Sequence, residues 1–283
     1  MSNYYHGAKA SKQATSVSTP VVADSSIHLI VGTAPVHTVG GKVNEPVYAS
    51  NYAEAVAAMG YSDEWDKYDI CEEIYSSFKL YSNGPIIMVN VLDPAKHLKG
   101  AETVEKTLAG GITELPYEAV SDTVEVKGYD GEDSLTETYT RGEDYDLFYT
   151  DGVLRLERIE SGKIKADNAR LNIKFNSVDP SKVTKKEIIG GYDTNTNKSS
   201  GFELVDSVYP KYGVIPTLFL APNFSTDSEV AAIMAAKAEN INGLFTGKAI
   251  IDADTNTVKA YSDVPAWKNN NLSLIHISEP TRL

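Results

Sequence analysis

Ile86 to Leu92 reads IIMVNVL, an almost unbroken apolar run of strand length. A strand of that kind has no polar face to turn to water, so it must be covered on both sides, as the strands of parallel sheets are. Ile27 to Thr33 (IHLIVGT) is a second short apolar run, ending in glycine and threonine. Two helical patterns lie between them. Ser50 or Asn51 can cap the first, Tyr52 to Met59, and Gly60 stops it. Ser62 precedes a longer pattern, Glu64 to Tyr81, in which Tyr68, Cys71, Ile74, Tyr75, Phe78 and Tyr81 recur at three- and four-residue steps. That spacing builds one apolar helix face. Asn83-Gly84-Pro85 then breaks the pattern. Strand, helix, helix, strand opens an α/β unit.

The middle of the chain does not continue it. From about Leu98 to Gly190 the texture turns to short alternating runs. Thr123 to Lys127 alternates, with Asp130-Gly131 soon after. Tyr145 to Tyr149 is joined through Asp151-Gly152 to Val153 to Leu156, a strong hairpin signal because Asp-Gly tolerates the positive φ angles of a tight turn. Leu171 to Phe175 adds a strand. The α/β texture then returns with a short helix over Gly201 to Tyr209 and a buried strand over Ile215 to Ala221. Asp227 or Ser228 caps a helix over Glu229 to Asn240, and Lys248 to Asp252 reads as a strand. The expected fold class is therefore a split α/β domain, residues 27–97 and 191–271, with a small β-rich domain inserted at 98–190. Residues 1–26 form an extended N-terminal arm in this reading. They are too polar to fold alone. Within the arm, Ser16, Val17, Ser18, Thr19, Val21 and Val22 make a β-prone run able to add a strand to an exposed sheet edge.

The 26 basic and 39 acidic side chains leave a formal charge of −13. A surface of that sign repels nucleic-acid phosphate and anionic lipid, so neither is an expected partner. One cysteine, Cys71, cannot form an internal disulfide, and at its helical position it is expected to pack as a small hydrophobe. No stretch approaches the roughly 18 apolar residues of a spanning helix, and the polar N-terminus lacks the core of a signal peptide. Folding in the cytoplasm is the expectation.

No catalytic, cofactor or metal site is expected. Gly32 to Lys42 follows a strand like a phosphate loop, but Val36 stands where that loop needs a glycine and Val43 where it needs Ser or Thr. Asp252, Asp254 and Asn256 have the alternate spacing of a calcium loop with Asp263 in the last position. Thr257 occupies the glycine position and the bidentate Glu is absent, so a polar turn explains the same letters. Asp193 to Asn197 reads as another polar loop. His28 is expected to be a packed, hydrogen-bonded core residue and not a ligand. His6, His37 and His97 show no spacing that predicts convergence. Glu72 and Glu73 are adjacent and diverge on a helix.

Several segments together resemble the phage tail sheath family. They are Tyr5-His6-Gly7, Gly32-Thr33-Ala34-Pro35, Tyr52 to Ala55 with Gly60 to Asp63, Val89 to Pro94, Ile189 to Asp193, Leu218 to Ser225, Ala236 to Asn240 and Asp263 to Lys268. None is specific alone; their order and spread from Tyr5 to Trp267 carry the resemblance. It implies a non-enzymatic subunit without cofactors, a homo-oligomer of hexameric rings stacked helically around a tail tube protein, meeting baseplate and tail terminator proteins. It also implies assembly in the host cytoplasm, a place in the virion tail, and contraction that drives the tube through the host envelope. Arms exchanged between copies would link the rings. The competing reading is a carbohydrate- or surface-binding module, with Tyr139, Tyr145 and Tyr149 stacking on sugars. Finally, Leu272 to Arg282 resembles a translated sequencing adapter, so residues 272–283 are expected to be non-native and a further C-terminal region to be missing.

Overall fold

The structure, a computed structural model, describes residues 27–129 and 137–272. The arm residues Ser16, Val17, Ser18, Thr19, Val21 and Val22, the Asp130-Gly131 turn and residues 273–283 lie outside the described residues.

The first part contains β1 (His28–Gly32), β2 (Val47–Ala49), α1 (Tyr52–Met59), α2 (Asp69–Tyr75) and β3 (Ile86–Asn90). The middle contains only strands and short turns: β4 (Glu102–Thr107), β5 (Ile112–Glu114), β6 (Glu125–Gly128), β7 (Thr138–Tyr139), β8 (Tyr145–Thr150), β9 (Val153–Arg158) and β10 (Arg170–Phe175). The last part contains α3 (Lys185–Ile189), β11 (Gly191–Asp193), β12 (Lys198–Ser200), α4 (Val205–Tyr212), β13 (Leu218–Leu220), α5 (Ser228–Glu239), β14 (Lys248–Ala249) and α6 (Val264–Leu272).

One five-stranded sheet, in the order β14-β13-β1-β3-β2, joins the first and last parts. Its four leading members are parallel and β2 is an antiparallel edge. Pairing of β1 with both β3 and β13 makes β1 the centre, which is why its run and that of β3 carry so few polar residues. Ile30, Ile86 and Met88 turn one face of the sheet to Ala55 and Met59 of α1 and to Ile70 and Ile74 of α2. Leu29, Val31, Ile87, Val89 and Phe219 turn the other to Val205 and Val208 of α4 and to Val230 and Met234 of α5. The crossovers β1 to β3 and β13 to β14 run outwards in opposite directions and put their helices on opposite faces, as right-handed connections require.

The middle strands form two antiparallel sheets, β4-β10-β6-β7 and β5-β9-β8. Alternation decides their inner faces: Val126, Leu171, Ile173 and Phe175 of one sheet meet Tyr145, Leu147, Leu154 and Leu156 of the other in a separate core. Asp151 and Gly152 take positive φ between β8 and β9, the turn their sequence predicts.

Several elements differ from expectation: the strand expected over Lys248 to Asp252 covers only Lys248–Ala249, and the helix expected over Gly201 to Tyr209 opens as a 3₁₀ turn, Gly201–Leu204, before α4. The helix expected over Glu64 to Tyr81 begins only at Asp69 and passes at Ser76 into a wider π-helical segment ending at Leu80. Its start is set by β1, since the Ile70 amide donates to the Thr33 carbonyl and leaves residues 64–68 as turns. The strand expected over Ile215 to Ala221 shrinks to Leu218–Leu220, because Pro216 has no N–H to give a ladder. The caps read from sequence are present: Asn51 accepts from the Glu54 amide, and Asp227 from those of Glu229 and Val230.

Candidate functional site

Strand order turns back between β1 and β13. In open α/β sheets, ligands bind outside the carboxyl ends of the strands at such a point. Here the carboxyl end of β1 is already occupied by the protein. The Thr33 amide donates to Asp69 Oδ1 at 2.5 Å, and the Thr33 hydroxyl to the Lys67 carbonyl at 2.8 Å. The Ala34 amide donates to Asn90 Oδ1 at 2.9 Å, while Asn90 Nδ2 donates to the Leu92 carbonyl. The amides that would hold a phosphate are therefore committed, and a carboxyl group stands where the anion would sit. Gly32 is required here for space, since a Cβ would lie 2.1 Å from Asp69 Oδ1. Beside this knot a cleft of about 260 Å³ opens between Lys67, Lys99, Glu118 and Asp179. Lys67 bridges it to Glu118 at 2.9 Å, tying the α2 entry to the β-rich middle of the chain.

Asp69 is fully buried, and burial pushes its carboxyl up to about 7 against the hydrogen bonds from Thr33 that lower it. An unfolded Asp titrates near 3.9. Between those values the folded chain holds the extra proton, so stability falls as pH rises through the window and the loss is complete above about 7. Asp69→Asn removes this titration. Relative to the native chain, the variant should gain on the order of 4 kcal/mol between pH 4 and pH 8. Urea unfolding of both proteins at the two pH values reads the difference directly, and an unchanging difference would mean that Asp69 binds no more protons in the folded than in the unfolded chain.

The remaining sequence motifs resolve into local structure. Asp252 accepts from the Ser225 hydroxyl at 2.7 Å, and Asp254 from the Asn256 amide at 2.9 Å, which makes this segment a self-bonded turn. Asp193 caps the β11–β12 turn through the Asn195 amide and the Thr196 hydroxyl. Among the described residues no group of three or more His, Cys, Asp or Glu side chains is placed to hold a metal ion. Cys71 is buried, and burial pushes its thiol up to about 12, which makes it a poor nucleophile. His37 is buried against Tyr117 and Tyr149; burial lowers its pKa, and its Nε2 meets the Tyr117 carbonyl at 3.0 Å. His28 is hydrogen-bonded as expected, its Nδ1 2.5 Å from Glu73 Oε1 and Asn83 on its other nitrogen, but it is half-buried rather than fully in the core. Sequence alone had no signal for this pair, because β1 and α2 meet only in the folded sheet.

Tyr145 is in the core of the β-rich region, and Tyr139 packs against it. The Tyr149 hydroxyl donates to the Ala119 carbonyl at 2.8 Å and accepts from the Ser121 amide. Tyr145 is buried, while Tyr139 and Tyr149 are partly buried against the same core.

Among the described residues β14 pairs only with β13, and β2 only with β3, so both end the five-stranded sheet. No helix among the described residues is long and apolar enough to cross a membrane. No family profile matches the chain. The chain is similar to the tail sheath protein of Burkholderia phage BcepMu, 28% identical over 260 residues that make up 91% of this chain and 50% of that protein. The chain thus spans about half the length of this curated relative. The relation supports the resemblance read from the residues, that of a phage tail sheath family member.

Proposed function

We propose that this chain is the N-terminal part of a structural subunit of a contractile phage-tail sheath. The observation that carries the reading is the likeness to a tail sheath protein along nearly the whole chain. Two features support it. At the carboxyl end of β1 the Thr33 and Ala34 amides are taken by the protein's own Asp69 and Asn90, as in a packed structural domain. The five-stranded sheet also ends in short edge strands able to accept a neighbour.

In this reading the domain is split, with residues 98–190 as an insert, and the arm run Ser16, Val17, Ser18, Thr19, Val21 and Val22 pairs with another copy. Hexameric rings stack helically around a tail tube protein, between baseplate and tail terminator proteins. Such contacts are heterologous and do not close on themselves, so they generate a helix. Contraction is a passage between two discrete packings of the same bodies. The carbohydrate-binding alternative has less behind it, with Tyr145 buried and Tyr149 hydrogen-bonded to the Ala119 carbonyl.

The test is electron microscopy of the complete protein after expression and purification. Tubular polymers with a helical repeat are expected. A particle that stays single beside preformed tail tubes would sink the reading.

A further inference from the structure

The α/β part and the β-rich middle have separate cores and are joined by two chain crossings. The crossings pair with each other: the Lys99 amide donates to the Ser177 carbonyl at 2.8 Å, and the Asp179 amide to the His97 carbonyl at 2.7 Å. Away from them, contact centres on Tyr117 and Glu118 of the middle. The Tyr117 ring packs against the α/β core, and its hydroxyl donates to the Tyr61 carbonyl at 2.9 Å. The Tyr117 carbonyl accepts from His37 Nε2 at 3.0 Å, and Glu118 is bridged to Lys67. Two clefts, of about 260 Å³ and about 430 Å³, also lie between the two parts.

His37 is the polar ring in this joint. It sits on the turn after β1, 8% exposed, edge-on to the rings of Tyr117 and Tyr149. A carbonyl only accepts, so its bond to Nε2 puts the ring proton there and leaves Nδ1 a bare acceptor. Among the described residues nothing bonds to Nδ1, nor to the hydroxyl of Tyr68, which packs on Tyr117 in the same joint. Each buried polar atom left unpaired costs about 1–3 kcal/mol, and opening to water recovers that cost. The charged groups around the ring are engaged elsewhere. Glu118 is held by Lys67, Asp122 by Arg141 at 3.4 Å, and Asp93, next to Pro94 in the cleft wall, by Lys96 at 3.2 Å. Burial disfavours a charge on the ring and outweighs the Tyr117 carbonyl and Glu118, which favour one.

We propose that the two parts close on each other through a proton-sensitive latch: a proton taken up at His37 Nδ1 leaves a buried charge with an unpaired N–H, and the joint opens about the paired crossings to hydrate it. In the open joint the ring titrates near 6.5, whereas the closed joint resists the proton. The latch therefore holds fully above that pH and weakens as pH falls below it, by up to about tenfold per pH unit. The device belongs to a single chain and does not depend on the assembly that the chain enters.

Spin labels on Ser50→Cys and Glu160→Cys, both exposed and one in each part, report the distance between the parts, while Cys71 stays buried. At about pH 7.5 one distance is expected, and at about pH 5.5 a second population about tenfold larger than at the higher pH. His37→Gln keeps a donor for the Tyr117 carbonyl but takes up no proton, so its distances should be the same at both pH values, with circular dichroism confirming the fold. Asp69 and His97 are kept in that variant, so a response from either would survive it. Tyr117→Phe loses the bond to the Tyr61 carbonyl and should show the second population already at the higher pH. Native distances that do not change with pH, a His37→Gln chain that responds as the native one does, or a Tyr117→Phe chain with a single distance at the higher pH would each overturn the proposal.

Discussion

Deleting Ser2 to Ser18 from the complete protein is expected to leave a folded body that no longer polymerises. The two faces of the five-stranded sheet and the core between the middle sheets are filled by residues from Ile27 onwards. The first ladder contact of the body, the Ile27 carbonyl receiving the Thr217 and Leu218 amides, lies well downstream of the cut. All core side chains among the described residues lie downstream of the cut, and the expected change in stability is no more than about 1 kcal/mol. What it removes, on the proposed reading, is the strand that each copy lends to the next. A contact repeated at every lattice position multiplies, so its loss acts on assembly as all or none. Sedimentation and negative-stain microscopy of the deleted and complete proteins compare the two outcomes, and normal tubes from the deletion would refute the arm's role.

Gly32→Ala is expected to be the most damaging single methyl group in the sheet. The new Cβ would lie 2.1 Å from Asp69 Oδ1 and 2.8 Å from its Cγ. Asp69 cannot swing aside cheaply, because the same oxygen accepts from the Thr33 amide and hydroxyl at the start of α2. β1 cannot shift either, since it is paired on both sides. Overpacking a site held this rigidly costs about 3 kcal/mol, a fall in Tm of roughly 10 °C for a chain of this size. Gly100→Ala is the matched control: nothing lies within 4 Å of its Cβ position, so its effect should stay within about 0.5 kcal/mol. Adding Asp69→Ala to Gly32→Ala should cost less than the sum of the two single changes, because both act on one contact. Equal Tm values for Gly32→Ala and Gly100→Ala would show that the loop yields.

The outcome at Asp69 marks the limit of what spacing can report. In the sequence it is one acid among several between Asp63 and Glu73, with nothing to distinguish it from Asp66. Its burial and its raised pKa follow from packing against a glycine 37 positions earlier. The phosphate-loop resemblance of Gly32 to Lys42 could be rejected from spacing, but the reason its amides are taken lies in Asp69 and Asn90. His28 shows the same limit. Its position in an apolar run suggests a hydrogen-bonded core residue; the bonds are made, to Glu73 and Asn83, but the first position of β1 leaves the ring only half-buried.

Local features were decided by the sequence alone, because their causes span only a few residues. The caps Asn51 and Asp227 work within one helical turn. Asp151-Gly152 makes its hairpin from its own φ preferences, and the uninterrupted apolar runs of β1 and β3 announce burial on both faces. Tertiary structure alone decided which strands are neighbours, where α2 begins, and that His37 meets Tyr117. Those outcomes depend on partners 30 to 200 residues apart, and side-chain periodicity along one segment has no information about the segment it will meet.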